Sequence, residues 1–106
     1  MRYFFQQTQP PGLIYMLTSP ALRGIKIGYT TKNKEYLYSR YRTPYGNNII
    51  MLIFDSNKPR TDEMRIHEIL RTHVLAGEIY KPFSARYAAL VCREVTGSHP
   101  VYFEKK

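Results

Sequence analysis

Two short runs, Gly12-Leu-Ile-Tyr-Met-Leu17 and Ile25-Lys-Ile-Gly-Tyr-Thr30, constrain the fold of this chain more than any other stretch. Both are rich in β-branched and aromatic residues, which suit a pleated backbone. Between them, Thr18 to Gly24 carries Pro20 and Gly24, which punctuate turns. The pair predicts a β-hairpin. A third run, Asn48-Ile-Ile-Met-Leu-Ile-Phe54, has six apolar residues in a row and reads as the buried central strand of a sheet.

The remaining chain reads as helices and connections. Lys34 to Arg42 has Leu37 and Tyr41 on one face, and stops before Thr43-Pro44 because the residue before proline resists the α region. A second helix, about residues 60–75, places Ile66, Ile69, Leu70 and Val74 at helical spacing, with Gly77 as its C-terminal cap. Glu78 to Lys81 is a short strand. Ser84 caps a last helix to about Val95, with Tyr87, Leu90, Val91 and Val95 turned inward and Gly97 closing it. Residues 1–11 form a lead-in arm in which Tyr3 to Phe5 could add a strand, and residues 98–106 could add an edge strand or stay loose. The order β-β-α-β-α-β-α predicts an α+β fold with a small three-stranded, mainly antiparallel sheet flanked by helices. At 106 residues this is a single domain with its core at about 12–95.

Composition excludes several classes. The chain is 43% hydrophobic with ten tyrosines and five phenylalanines, which fits a globular domain rather than a disordered one. No apolar run approaches membrane-spanning length, and the N-terminus lacks a signal-peptide core. A lone Cys92 rules out an internal disulfide and a cysteine-built zinc site. The expectation is an intracellular protein, cytoplasmic or nuclear, and neither secreted nor membrane-bound. Lys and Arg number 16 against 8 acids, a net charge of +8, which favours a polyanionic partner such as nucleic acid.

Because acids are scarce, each can be weighed. Glu63 and His67 fall at the border of the apolar face of the second helix, where a cleft residue belongs, whereas Glu68 points to solvent. The plain alternative for Glu63 is a first-turn acid complementing the helix dipole. For His67 it is a satisfied boundary histidine. Glu63 and His67 at i, i+4 could also pair on a metal, but no third ligand is visible nearby in the sequence. Arg40 and Arg42 suit phosphate contact, or equally the C-terminal end of a helix dipole. Tyr15 in a strand is more often core than catalyst, and most of the tyrosines fill the core or its rim.

The order of these features resembles the GIY-YIG endonucleases, and in particular the branch found in phages and large viruses whose second motif reads Lys-Ile-Gly. The first strand carries Gly12 and Tyr15, the second Lys26-Ile27-Gly28 with Thr30, the next helix Arg40, and a later helix Glu63 with His67. Gly77-Glu78-Ile79-Tyr80 matches the Gly-Glu-x-aromatic run of that branch. The likeness covers about residues 12 to 95. It implies a compact α/β sandwich that hydrolyses phosphodiester bonds of DNA with one divalent cation, Mg2+ or Mn2+, held by Glu63. Arg40 would stabilise phosphate charge, with Arg42 as its rival. Tyr15 would act as general base or orient the attacking water. A nearby cation must then lower its phenol or bind its phenolate, and Lys26 would do so if the hairpin brings it across. Lys32, Lys34 and Arg42 would grip nucleic acid.

The chain departs from the family pattern in places. Lys26 replaces the tyrosine of the second motif, and Tyr29 is the candidate substitute, although strand alternation puts it on the other face. The usual asparagine after the metal helix is absent, and Glu78 stands as a secondary site candidate there. The competing readings are a catalytically weak or inactive nucleic-acid-binding module of the same fold, and a module that meets an acidic protein. No helix-turn-helix or zinc finger is visible. Duplex, branched and nicked DNA all remain open as partners, as do monomer and homodimer.

Overall fold

The computed structural model describes residues 9–46 and 48–105. The hairpin forms as the sequence predicts. Strand β1 (Gly12–Thr18) pairs antiparallel with β2 (Ile25–Thr30), Tyr15 opposite Gly28 and Leu17 opposite Lys26. Helix α1 (Lys34–Tyr45) follows, its first turn capped by the Asn33 side chain, which accepts from the Tyr36 N–H at 2.9 Å. Contrary to expectation, α1 runs through Pro44. The proline sits in the last turn, and the helix ends where Gly46 turns to φ 84°.

Strand β3 (Ile49–Ser56) returns antiparallel to β1 on the side away from β2. Helix α2 (Pro59–Ile69) begins with proline, whose missing N–H costs nothing at a helix start. Its acid for the first turn is Asp62, buried and bonded to the Ser56 hydroxyl at 2.6 Å. The helix stops at Ile69, earlier than the sequence suggests. A 3₁₀ turn (Arg71–His73) follows, and Val74 belongs to β4 (Val74–Ala76). Gly77, at φ 56°, makes the turn from β4 to β5 (Ile79–Tyr80) instead of capping a helix. A second 3₁₀ turn (Pro82–Ser84) precedes α3 (Ala85–Thr96), which ends on Gly97 in the left-handed region. Ser84 makes no side-chain cap; its hydroxyl bonds His73 Nδ1 at 2.7 Å and ties the two 3₁₀ turns together. Strand β6 (Val101–Lys105) then pairs antiparallel with β3. The expected N-terminal strand at Tyr3 to Phe5 lies outside the described residues.

Among the described residues the α+β class stands, with three helices and one sheet. The sheet has six strands in the order β4-β5-β2-β1-β3-β6, not three, because the short segments around the Gly77 turn and the tail join both edges. The sheet separates two cores. On one face Tyr15, Leu17, Met51 and Ile53 pack with Leu37 and Tyr41 of α1. On the other, Ile14, Ile27 and Phe54 pack with Ile66 and Leu70 from α2 and its end, and with Ala88, Val91 and Cys92 of α3. Of the residues expected inward, Val91 is buried and Val95 packs against this core, whereas Tyr87 and Leu90 are about half exposed and Ile69 is 39% exposed. The buried stripe of α3 uses small residues, Ala88 and Cys92, because α2 packs against α3. Among the described residues no helix is long and apolar enough to cross a membrane.

Candidate metal and phosphate site

The hairpin register builds the first half of the site. Opposed residues of an antiparallel pair project to the same face, so Tyr15, Gly28 and Lys26 all point toward α1. The Tyr15 ring lies over Gly28. A Cβ at position 28 would come within 2.5 Å of the Tyr15 hydroxyl oxygen, so glycine is what leaves the ring its place. That hydroxyl is 2.6 Å from the Tyr41 hydroxyl, which α1 brings down onto the sheet. Tyr41 stacks on Tyr45 with ring centres 5.8 Å apart. Two cations approach the Tyr41 ring: the Arg40 guanidinium at 5.3 Å and Lys26 Nζ at 5.8 Å from its centre.

Burial pushes the Tyr15 phenol far above its ordinary range, and Tyr41 and Glu78 push it further; Arg40 opposes them. Tyr15 is therefore a neutral phenol near pH 7. The expected lowering by Lys26 does not arise. Lys26 lies diagonal to Tyr15 rather than opposite it, and its Nζ is committed to Glu78 Oε1 at 3.0 Å.

The second half comes from α2 and the turn before β5. Glu63 and His67 stand one helical turn apart with Oε2 and Nε2 at 3.4 Å, both largely shielded from solvent. The His67 ring stacks on Tyr80 at 5.4 Å with planes 13° apart, and its Nδ1 bonds the Tyr80 hydroxyl. Burial, with Glu78 and Glu63 nearby, pushes the Tyr80 phenol up to about 12. Nε2 of His67 is buried and has no hydrogen-bond partner. Glu78 completes the group: one ligand atom each from Glu63, His67 and Glu78 lie within 4.8 Å of one another. Pairing of β2 with β5 puts Glu78 there, with Ile79 opposite Lys26 and the Ile27 N–H donating to the Glu78 carbonyl at 3.3 Å. Two carboxylates and an imidazole with an unused nitrogen are a donor set that suits a divalent cation.

The two halves meet at Glu78, whose charge acts on both Tyr15 and Tyr80. The fold thus brings together Tyr15, Lys26, Arg40, Glu63, His67 and Glu78, six of the residues singled out in the sequence. It does not bring Tyr29 to them. Tyr29 pairs with Ile14 and faces the α2 and α3 side, more than a third exposed. Arg42 is exposed in the last turn of α1. Lys32 and Lys34 lie at the opposite end of that helix, about 12 Å away along its axis from Lys34 to Arg42. There they flank an open groove of about 510 Å³ with Pro11, Leu13 and Asp55. The sequence gives no chemical role to Tyr41 or Tyr80: Tyr41 at i+4 from Leu37 carries the signature of a core residue, and Tyr80 stands only as the aromatic of the Gly-Glu-x-aromatic run. Comparison of the chain with known protein families, curated proteins and solved structures finds no match.

Proposed function

We propose that this chain is a metal-dependent DNA endonuclease of GIY-YIG type that hydrolyses phosphodiester bonds. The observation that carries the reading is the meeting of a phenol pair, two cations and a metal-suited cluster around Glu78, beside the β2–β5 pairing. Phosphate would sit against Arg40 and Lys26, whose charges match it. Arg40 would stabilise charge that develops on the phosphoryl oxygens. The divalent cation, Mg2+ or Mn2+ with Glu63 as ligand, would supply Lewis-acid stabilisation of the leaving oxygen. Tyr15 stays protonated, which favours the water-orienting role over that of a phenolate base. Tyr41 places a second phenol on Tyr15, where Tyr29 cannot reach. A net charge of +8 supports binding of a polyanion.

The test is nicking of supercoiled plasmid in Mg2+ or Mn2+, beside a chelator control and Glu63→Gln. Cleavage should need the cation and should fall by about 100-fold or more in the variant. Equal cleavage by Glu63→Gln would remove the metal role. Plasmid shifted on a gel but left intact by both proteins would favour the binding module of the same fold. The Lys26–Glu78 ion pair is the observation that speaks for that second reading, because it occupies both groups.

A further inference from the structure

The Glu78 carboxylate faces both Lys26 and the Glu63–His67 pair, and a cation bound on one side weakens its pull on the other. Its Oε1 is paired with Lys26 Nζ at 3.0 Å, while the same carboxylate stands within 4.8 Å of the donor atoms of Glu63 and His67. Ligand atoms about 2.0–2.2 Å from one first-row metal lie about 3–3.6 Å apart, so the widest pair of donors needs to close by about 1–2 Å. Side-chain rotation supplies that. The imidazole is already set for the task. Nδ1 is held by the Tyr80 hydroxyl and the ring is stacked on Tyr80, which leaves Nε2 facing Glu63 without a hydrogen bond. An outer partner on one ring nitrogen is what orients the other toward a metal.

We propose that Glu63, His67 and Glu78 together hold one divalent transition-metal ion, and that its binding competes with Lys26 for the Glu78 carboxylate and loosens that ion pair. This deepens the nuclease reading by naming the ligand set and metal class, and rests on that reading only for the later use of the loosened lysine. Mixed carboxylate and imidazole donors favour Mn2+, Co2+ or Zn2+ over Mg2+, which prefers oxygen alone. The loosened ammonium remains beside the Tyr41 ring on the face where phosphate would lie. Metal loading would thereby make a neutralised lysine more available to phosphate.

The test uses Co2+ and Mn2+ binding to the full chain, by titration calorimetry and by the visible spectrum of bound Co2+, with no DNA present. Glu63→Gln, His67→Ala and Glu78→Gln should each weaken Co2+ binding by at least about tenfold. His67→Ala should also blue-to-red shift or flatten the Co2+ spectrum, and narrow the preference for Co2+ over Mg2+. Lys26→Met should tighten binding several-fold in the wild-type background but not in Glu78→Gln, because the competition runs through that carboxylate. Unchanged Co2+ affinity in His67→Ala or Glu78→Gln would overturn the three-ligand site. Tightening by Lys26→Met that persists in Glu78→Gln would overturn the competition with Lys26. Circular dichroism of each variant separates a lost ligand from a lost fold. Binding as expected without plasmid cleavage would count against the nuclease alone, and cleavage with a failed titration against the three-ligand site alone.

Discussion

At the scale of single residues, the molecule protects protons. Tyr15, Tyr80 and Cys92 are buried, and burial is the largest influence on each. Cys92 rises from 9.0 to about 12, and Tyr80 from 10.0 to about 12. In the unfolded chain these groups ionise at their ordinary values, so above about pH 9 the unfolded state binds fewer protons than the folded one. Stability is then full below pH 9 and falls as pH rises toward 12, by up to about 1.4 kcal/mol per pH unit for each group. Melting temperature measured from pH 8 to 11 should drop steadily. Cys92→Ala should start lower, because a small cavity opens, but fall less steeply across that range. The same burial explains why Tyr15 reads as ambiguous in the sequence. Its residue type marks both a core tyrosine and a catalytic one, and only its position over Gly28 and against Tyr41 shows the surroundings of its hydroxyl.

At the scale of elements, local chemistry and packing divide the work. Asn33 caps α1, and Asn33→Ala should cost about 1 kcal/mol, read as a lower melting temperature with unchanged metal affinity. Strong local signals were legible in the sequence. The hairpin, the apolar run of β3 and the Gly97 stop all depend on neighbouring residues, and all appear in the structure. The segments that differ depend on distant ones. Strands β4 and β5 have three and two residues, too short to show a period of two, and exist because β2 offers an open edge. The end of α2 carries no glycine or proline, so the apolar spacing through Val74 resembled a longer helix. On α3 the expected Val91 is buried and Val95 packs against the core, but Ala88 and Cys92 take the places expected of Tyr87 and Leu90, because their small side chains suit the packing of α2 on α3. For the site, Glu63 and His67 were legible from helical spacing, whereas Glu78 as their third neighbour required the turn between β4 and β5.

At the scale of the whole molecule, one sheet with a core on each face makes β1 the common wall. Ile14 and Met16 belong to one core, Tyr15 and Leu17 to the other, so neither helical layer can loosen without disturbing the strand that carries the phenol. The chemical groups sit beside the β2–β5 pairing, where Glu78 acts on Tyr15 from one layer and on Tyr80 from the other. The opposite edge has a different duty. Strand β3 is the most apolar segment of the chain, and β6 covers its free side, with Ile50 opposite Glu104 and Ile49 opposite Lys105. Bare, that side would offer unpaired N–H and carbonyl groups along a run with no charge from Ile49 to Phe54, the composition that templates stacking between chains. A chain cut after Gly97 should keep the hairpin and the Glu63 cluster yet lose solubility, forming thioflavin-positive aggregates that the intact chain does not. Strand β6 thus serves as a gatekeeper: it spends its backbone bonds on β3, and its Glu104 and Lys105 place charge beside the apolar run.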